Sequence, residues 1–480
     1  MISKLILGIV PLLVATHLYG EEVANRPNVL FIAVDDLRPE LGCFGAEVKT
    51  PNFDKLAASG AIFSKAYCQQ AVCGASRVSL MTGLYPTKTG EHTFHVKDWR
   101  KRHPKVVTLQ QNFQAQGYHC VGMGKIYHGN SGPDIDPAHW DDWEKVAGKS
   151  YALPESLTAQ ANNTARKGKQ PKGPSTESAE VDDNFYREGQ LADVAARKLA
   201  ELSKAKKPFF LAVGFQKPHL PFVAPKKYWD LYQREDFVMP SNRGVPPGYP
   251  PYATNRGAGE LVAYADIGQV SPKDFPKALN QRLLHGYAAC VSYTDRNLGV
   301  VLKALEKNGL AENTIVVLWG DHGWKLGDHS SWCKHTNFEC DTRVPLFVRA
   351  PGKKGSLEVK QPVELIDLYP TLCELSGLQA PAHLQGKSFA KLLAQPETHH
   401  RDTAYSVYPH GKFMGHSIRS GNYRYTEWHD RKSGEVTARV LTDLVEDPGE
   451  TTNVVNDPAH ARSLQLVQKQ LTDRIASALK

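Results

Sequence analysis

Residues 28–36 read NVLFIAVDD, an apolar run that stops at two aspartates. A short continuous apolar run bounded by polar residues is typical of a strand buried on both faces of a parallel sheet. Four more runs follow the same pattern: YHCVGMG (118–124), PFFLAVGF (208–215), NTIVVLW (313–319) and PLFVRAP (345–351). We therefore predict an α/β fold built on a mostly parallel sheet.

Amphipathic segments separate these runs. They lie near residues 52–58, 76–82, 107–116, 186–204, 281–308 and 364–376. Strands that alternate with helices predict a sheet with helices on both faces. Two stretches break the alternation, the polar residues 145–185 and the proline- and glycine-rich residues 239–260. We expect both to be long surface loops, which are often functional.

The pattern changes near residue 396. Short alternating stretches between residues 403 and 442 predict an antiparallel sheet, and a closing helix is expected from about Pro458 to Leu479. We therefore divide the chain into a segment 1–20, a large α/β domain 21–395 and a smaller α+β domain 396–480.

The first twenty residues, MISKLILGIVPLLVATHLYG, have the pattern of a secretory signal peptide cut near Gly20. No later apolar run is long enough to cross a bilayer. The mature protein is therefore expected to be exported without a membrane span, to a periplasmic, extracellular or lysosome-like compartment.

Composition restricts the partners. The chain has 480 residues and a formal net charge of +8, with basic runs WRKRHPK (99–105) and ARKGKQPKGP (165–174). These runs could attract a polyanion or be an ordinary solvated surface. The absence of a zinc finger, a helix-turn-helix pattern or a basic–aromatic repeat argues against nucleic acid. The eight cysteines are irregularly spaced, so their pairing cannot be derived, and the sequence leaves the oligomeric state open.

Polar residues follow four of the predicted strands. These are Asp35 and Asp36, Lys125 and His128, His219, and Asp321 and His322. The carboxyl ends of parallel strands share one edge of the sheet, where ligands bind in open α/β folds. Each residue alone is more often a turn, a cap or a surface group. Together, three carboxylates would repel one another without a cation, and oxygen ligands suit Ca²⁺ or Mg²⁺.

Cys73 lies in QQAVCGASRVSLMTG (69–83), where we expect a helix to begin near the cysteine and end at Gly83. Helix N-termini favour anions. A lone cysteine is usually a buried thiol or half of a disulfide. Next to a hard cation and several cationic side chains, it predicts a site for an oxyanion ester.

The segment CGASRVSLMTG resembles the signature of the type I sulfatases, in which the cysteine is oxidised to formylglycine (3-oxoalanine). VDD and GDHG resemble the metal-binding segments of that family. The segments DDLRPELGCFG, GKIYHG, KPHLPF, DHGWKLGDH, CKHTNF and MGHSIRSGNYRYTEW resemble the iduronate-2-sulfatase branch and its bacterial members. The resemblance extends from Asn28 into the C-terminal domain and implies an alkaline-phosphatase-like fold.

The resemblance also implies roles. Asp35, Asp36, Asp321 and His322 would hold a divalent cation together with the modified Cys73. Arg77 would hold the aldehyde hydrate, Lys125 and Lys334 would bind sulfate oxygens, His219 would protonate the leaving alcohol, and His128 would deprotonate the hydrate. A formylglycine-generating enzyme is the implied partner. Ala75 stands where the commonest signature has proline, which leaves open which maturation enzyme acts.

The predicted substrate is a sulfated carbohydrate, in particular a 2-O-sulfated uronic acid such as iduronate 2-sulfate. Trp324, Trp99 and residues 239–260 are the candidates for contacts with the sugar. Trp324 could equally be packed against the wall of the site, where tryptophan is commonly buried. Two alternatives remain at this stage: a phosphonate or phosphodiester hydrolase on the same scaffold, and a catalytically inactive glycan-binding protein.

Overall fold

The computed structural model describes residues 26–94, 96, 99–129, 135–164, 171–254, 259–268, 270–352 and 355–480. The predicted signal peptide, residues 1–20, lies outside this part of the chain. Within the described ranges, no helix is both long enough and apolar enough to span a lipid bilayer.

The described strands are β1 (Asn28–Val34), β2 (Ala61–Phe63), β3 (Ala66–Tyr67), β4 (His119–Gly124), β5 (Asp142–Glu144), β6 (Thr176–Ala179), β7 (Phe209–Phe215), β8 (Phe222–Pro225), β9 (Thr314–Gly320), β10 (Lys325–Leu326), β11 (Trp332–Cys333), β12 (Arg343–Val344), β13 (Leu346–Arg349), β14 (Leu357–Val359), β15 (Val363–Glu364), β16 (Thr403–His410), β17 (Phe413–Ser420), β18 (Tyr423–Asp430) and β19 (Val436–Asp443). The described α-helices are α1 (Pro51–Ala58), α2 (Cys73–Thr82), α3 (Pro86–Thr89), α4 (Trp99–Arg102), α5 (Leu109–Ala115), α6 (Pro154–Asn162), α7 (Arg187–Leu202), α8 (Lys226–Trp229), α9 (Lys277–Lys307), α10 (Glu339–Thr342), α11 (Leu368–Leu375) and α12 (Ala461–Leu479).

The main sheet has the strand order β14-β2-β13-β9-β1-β7-β4-β5. Its centre is parallel, since β1 pairs in parallel with β7 and β9, and β4 pairs in parallel with β7 and β5. The strand β13 runs antiparallel to both of its neighbours. The predicted mostly parallel sheet is therefore confirmed, with one reversed strand.

Both faces of the sheet are covered. Alternate residues of β1 enter two different hydrophobic clusters, Leu30 and Ile32 on one face and Val29 and Phe31 on the other. Because each face is packed, every residue of β1 is buried, and the strand is a continuous apolar run. Residues of α7 and α9 fill the first cluster, and residues of α2, α5 and α11 fill the second.

The C-terminal part is an antiparallel sheet of β16, β17, β18 and β19 in sequence order, closed by α12. Val467 and Leu471 of α12 pack in a cluster with Ile418 of the sheet. Arg474 of α12 donates a 2.5 Å hydrogen bond to Glu364, which belongs to the α/β part. The predicted antiparallel sheet and closing helix are thus present, and the helix is preceded by a 3-10 turn over Pro458–His460.

The expectation of a surface loop over residues 145–185 is wrong in part. This stretch contains α6 and β6, and β6 pairs in parallel with β8. Glu177 of β6 is buried because its carboxylate accepts hydrogen bonds from the backbone N–H groups of Ala152 and Leu153 and from the hydroxyl of Tyr186. A polar stretch of sequence can therefore form a buried strand when neighbouring donors satisfy the buried carboxylate with hydrogen bonds.

All eight cysteine positions lie in described residues, and all eight thiols are free. Six of them are buried, and five of these act as small apolar side chains in the hydrophobic clusters: Cys68, Cys120, Cys290, Cys333 and Cys373.

Candidate active site

Four neighbouring strands deliver polar residues to one edge of the sheet. In the register of the sheet, Val34 of β1 lies opposite Phe215 of β7 and Gly320 of β9, so these strands end at one level. Asp35 and Asp321 directly follow two of these strand ends. The convergence expected from the sequence is therefore produced by the register.

Cys73 is the first residue of α2, as predicted, and is 2% exposed. The small residues after it are required by close packing. A Cβ on Gly74 would lie 2.5 Å from the Thr93 carbonyl oxygen, which explains why a glycine follows the cysteine. The hydroxyl of Ser76 donates to the Asp321 carbonyl oxygen at 2.5 Å and ties the start of the helix to the end of β9.

The side chains of Asp35, Cys73, Asp321 and His322 converge, and one potential ligand atom from each lies within 4.8 Å of the others. The Nε2 atom of His322 is 3.2 Å from Cys73 Sγ and 3.5 Å from an oxygen of Asp36. The other ring nitrogen, Nδ1, lies 2.9 Å from the Gly323 carbonyl oxygen and donates to it. This tautomer leaves Nε2 with a lone pair that faces the cluster.

Arg77 orients the carboxylates. Its guanidinium donates to Asp321 Oδ2 at 2.8 Å, to Asp35 Oδ1 at 3.2 Å and to the carbonyl oxygens of Lys125 and Ile126. The side chain is completely buried. The sequence placed Arg77 one turn after Cys73 and suggested a contact with the nucleophile; the donors are instead directed at two carboxylates and two backbone oxygens.

Asp36 carries the clearest sign of a cation. Its Oδ2 atom is buried and has no hydrogen-bond partner among the described residues. Burial first, and then the charge of Asp35, raise the pKa of this carboxyl well above its usual range, although Lys334 opposes them. A buried carboxylate oxygen without a donor is costly unless an ion binds it. The donor set of carboxylates and one imidazole fits a divalent cation.

Two lysines border the cysteine. Lys125 Nζ lies 3.8 Å from Cys73 Sγ and pairs with Asp35, while Lys334 Nζ lies 3.4 Å from Cys73 Sγ and 2.8 Å from Asp36 Oδ1. Burial favours the neutral amine of Lys334, but the carboxylates of Asp36, Glu260 and Asp35 outweigh it and raise its pKa above the usual range. Both lysines therefore remain cationic at the bottom of the site.

The two histidines predicted for proton transfer lie beside these lysines. His219 Nδ1 is 2.6 Å from the Leu220 carbonyl oxygen, and its Nε2 faces Asp36 at 3.8 Å. Burial and the Lys125 charge lower the pKa of His219 to about 4. His128 is partly buried, its Nδ1 has no partner among the described residues, and burial and Lys125 lower its pKa to about 3.

The thiol of Cys73 is not activated. Burial and the Asp35 carboxylate raise its pKa to about 12, despite the neighbouring lysines. A thiol of that pKa is protonated at neutral pH and is a poor nucleophile. This environment contrasts with that of catalytic cysteine thiolates, which have depressed pKa values.

The predicted sugar contacts of the two tryptophans need correction. Trp324 is fully buried and forms the wall of the site, with Lys334 Nζ 5.0 Å from its ring centre. Trp99 is also fully buried, stacked 5.9 Å from the ring of Tyr127. Neither ring has exposed area for stacking on a sugar, because both complete hydrophobic packing.

Two residues of the site were not singled out from the sequence, although Glu260 is the last residue of the stretch 239–260 that was a candidate for sugar contacts. Glu260 contacts Lys334 at 3.2 Å and His219 at 3.4 Å, and His335 Nε2 lies 3.6 Å from Glu260. Glu260 is a single acid in an irregular stretch, and no periodicity or strand end marks it. His335 directly follows Lys334 within CKHTNF, which was the only available signal.

Both arginines of the basic run at residues 99–105 are paired with carboxylates. Arg100 pairs with Asp136 at 2.6 Å and Arg102 pairs with Glu91 at 2.6 Å. Such pairing favours the ordinary surface interpretation of this run over a polyanion site. Most of the second run, residues 165–170, lies outside the described residues.

Comparison with known proteins agrees with this geometry. The sulfatase family model matches residues 27–378, and the model of the C-terminal region of N-sulphoglucosamine sulphohydrolase matches residues 327–478. Iduronate 2-sulfatase of Mus musculus is 32% identical over 545 aligned positions, which cover 95% of this chain and 96% of the mouse protein.

Solved structures share the fold. A protein in complex with its substrate D-glucosamine-2-N,6-O-disulfate has a TM-score of 0.73 and 21% identity, covering 94% of this chain and 98% of that chain. The phosphonate monoester hydrolase of Silicibacter pomeroyi has a TM-score of 0.74 and 21% identity, covering 94% of this chain and 96% of that chain. The extent of the family match and the identity to the mouse enzyme decide the assignment. This chain belongs to the sulfatase family and is a sulfuric ester hydrolase.

Proposed function

We propose that this protein is an exported sulfatase that removes the 2-O-sulfate of a uronic acid residue in a sulfated glycan. The observation that carries the proposal is the position of Cys73. Its Sγ lies within 4 Å of the ammonium groups of Lys125 and Lys334 and of His322 Nε2, at the edge of a buried carboxylate cluster. A sulfate ester placed there meets a nucleophile position, a cation site and two positive charges.

The proposed nucleophile comes from Cys73. Formylglycine at this position supplies, as its hydrate, a hydroxyl that attacks sulfur and a second hydroxyl that later releases the sulfate. Membership of the sulfatase family supports this modification. The host's formylglycine-generating enzyme is the partner that we propose for this step.

The chain's own groups supply binding and proton transfer. Lys125 and Lys334 hold the non-bridging sulfate oxygens and stabilise the charge that develops on them. His219 gives a proton from Nε2 to the leaving sugar oxygen, and His128 takes a proton from the second hydroxyl of residue 73. The low pKa of His219 belongs to the site without a substrate, and the negative charge of a bound sulfate raises it.

We propose that Ca²⁺ is the cation, held by Asp35, Asp36, Asp321, His322 and residue 73. The unpartnered Asp36 Oδ2 supports this assignment, and Ca²⁺ tolerates an irregular, oxygen-rich ligand set better than Mg²⁺ does. When bound, the cation neutralises sulfate oxygens and polarises the hydrate of residue 73.

The substrate class is supported by the 32% identity to mouse iduronate 2-sulfatase over nearly the whole length of both chains. The net charge, +8 for the whole chain and +7 without Lys4 of the proposed signal peptide, also favours an acidic polysaccharide over a neutral ester. Export is supported by the hydrophobic segment 1–20, which has the pattern of a signal peptide.

The test is a turnover panel with 4-nitrophenyl sulfate, 4-nitrophenyl phosphate, a phosphonate monoester and iduronate 2-sulfate. We expect hydrolysis of both sulfate esters, with a higher kcat/KM for the sugar. Faster turnover of the phosphonate would favour the alternative hydrolase on the same scaffold.

Cys73→Ala is the matched control. We expect it to fold, since one small buried residue replaces another, and to lose turnover of every ester. Turnover of all esters by Cys73→Ala at the wild-type rate would reject the proposed nucleophile. Absence of turnover by fully modified wild-type protein would favour a glycan-binding protein.

A further inference from the structure

Glu260 is a carboxylate in the active site that the proposed mechanism does not use. Its two oxygens lie 3.2 and 3.3 Å from Lys334 Nζ, 3.4 Å from His219 Nε2 and 3.6 Å from His335 Nε2. These cationic and titratable groups hold its pKa well below the usual range against the effect of burial. Glu260 is therefore an anion within contact distance of the groups that bind sulfate and protonate the leaving oxygen.

The backbone fixes this position. Glu260 precedes the 3-10 turn Leu261–Ala263, and the Leu261 side chain is fully buried in the hydrophobic core. The N–H group of Tyr264 donates to the Leu261 carbonyl oxygen at 3.0 Å, and Tyr264 is itself buried. The carboxylate is thus presented from an anchored turn.

Glu260 lies at the outer side of the site. Its side chain is 20% exposed, whereas Lys334 is 1% exposed and Asp36 is fully buried. The sulfate group must reach the buried lysines and Cys73. The carbon skeleton of the substrate must then remain on the exposed side, where Glu260 is located.

Electrostatics restricts what Glu260 can contact. A carboxylate repels the sulfate anion and any second anion on the sugar, but it accepts strong hydrogen bonds from hydroxyl groups. The leaving oxygen must come within hydrogen-bond distance of His219 Nε2, and Glu260 lies 3.4 Å from that nitrogen. A hydroxyl on the carbon next to the sulfated one then falls within reach of Glu260.

We propose that Glu260 is a specificity-determining residue that accepts a hydrogen bond from the hydroxyl next to the scissile sulfate ester. In a 2-O-sulfated uronic acid this is the 3-hydroxyl group. The inference rests on the proposed function, since it assigns the sugar side of the same site. With this hydrogen bond, the enzyme selects a sugar whose hydroxyl next to the sulfate ester is free. It rejects a sugar that carries a second sulfate at that position.

The experiment compares three substrates with wild type, Glu260→Ala and Glu260→Gln. The substrates are methyl iduronoside 2-sulfate, its 3-deoxy analogue and 4-nitrophenyl sulfate. Because hydrogen bonds to charged groups are strong, we expect Glu260→Ala to lower kcat/KM for the hydroxyl-bearing sugar by about 10- to 100-fold. Glu260→Gln keeps one oxygen acceptor, so its kcat/KM for the same sugar should fall less than that of Glu260→Ala. The losses on the 3-deoxy sugar and the aryl sulfate should be at least about tenfold smaller.

Glu358→Gln is the matched control, because Glu358 is an exposed carboxylate paired with Lys360 at the surface. It should change none of the three kcat/KM values.

Each other outcome overturns the inference. If the Glu260 variants lost kcat/KM equally on both sugars and kept it on the aryl sulfate, Glu260 would act through His219. Equal losses on all three substrates would show a structural role, and no loss would show no role. The proposed function fails separately, if the wild-type protein hydrolyses 4-nitrophenyl sulfate but neither sugar sulfate.

Discussion

Arg77 Nε donates a 2.8 Å hydrogen bond to Asp321 Oδ2, and neither side chain has any exposed area. The same guanidinium contacts Asp35 at 3.2 Å, so one planar group aligns the carboxylates that follow β1 and β9. Arg77 therefore fixes the orientation of two carboxylates of the predicted cation site. The planar guanidinium does this with a donor geometry that a lysine cannot reproduce.

Arg77→Lys should weaken both the fold and the metal site. One ammonium cannot serve two carboxylates and two carbonyl oxygens, so we expect a loss of about 2 kcal/mol in the free energy of unfolding. Urea denaturation and metal analysis of the purified protein measure the two effects. Arg439→Lys, in a half-exposed pair with Glu427, should change stability by less than about 0.5 kcal/mol. Wild-type stability and metal content in Arg77→Lys would contradict the role of Arg77.

Removal of the cation should lower the melting temperature, because an ion that binds only the folded state stabilises it by mass action. After chelation, Ca²⁺ should restore the melting temperature more effectively than Mg²⁺. Asp36→Asn should abolish this response, because it replaces the carboxylate with the unpartnered oxygen. Asp142→Asn, at a half-exposed carboxylate paired with His119, is the control and should respond like the wild type. A full Ca²⁺ response in Asp36→Asn would place the cation elsewhere.

His219→Ala should damage the hydrolysis of sugar sulfates far more than that of 4-nitrophenyl sulfate. A sugar alkoxide needs a proton to leave, whereas nitrophenolate does not, and general acid catalysis contributes about 10²- to 10⁴-fold. Steady-state kinetics on both esters measure the difference. His399→Ala, at an exposed histidine, should leave both rates unchanged. Equal losses on the two esters in His219→Ala would rule out a general acid at this position.

His416 should make the fold sensitive to acid. Burial and the neighbouring His429 lower its pKa to about 3, and its Nδ1 lies 2.6 Å from the Tyr405 hydroxyl oxygen in a hydrogen bond. The folded state therefore binds fewer protons than the unfolded state, whose histidine titrates near pH 6.5. Its contribution to stability is present above pH 6.5 and is lost as the pH falls toward 3.

His416→Asn keeps a hydrogen-bonding group for Tyr405 and removes the titration. Between pH 7 and pH 4.5, its free energy of unfolding should fall by about 1–2 kcal/mol less than that of the wild type. Urea denaturation at the two pH values measures this difference, with His399→Asn at an exposed histidine as the control. Parallel losses in wild type and His416→Asn would show that His416 does not titrate on unfolding.

The centre of the fold could be predicted from the sequence because its strands are buried on both faces. Runs such as residues 28–34 and 314–320 are continuously apolar for that reason, and the next residue in each case is an aspartate of the site. The antiparallel direction of β13 could not be predicted, because an apolar run does not indicate whether its strand is parallel or antiparallel to its neighbours.

The contacts made by Arg77 and Glu260 could not be predicted. Arg77 is one turn from Cys73 in sequence, but its partners follow strands that lie far away in the chain. Glu260 comes from an irregular stretch whose path depends on the burial of Leu261. Tertiary packing decides both positions, and local sequence patterns do not record it. The burial of Trp99 escaped prediction for the same reason, whereas packing of Trp324 against the site wall was one of the two interpretations that the sequence allowed.

The most direct test of the account is the mass of the tryptic peptide Ala66–Arg77, taken from protein that is made with a formylglycine-generating enzyme and that hydrolyses 4-nitrophenyl sulfate. The peptide contains both Cys68 and Cys73, so Cys68 is an internal control for general oxidation. The account predicts that the CH₂SH group of residue 73 has become CHO or its hydrate, while Cys68 keeps its thiol. An active preparation in which both thiols are intact would contradict it.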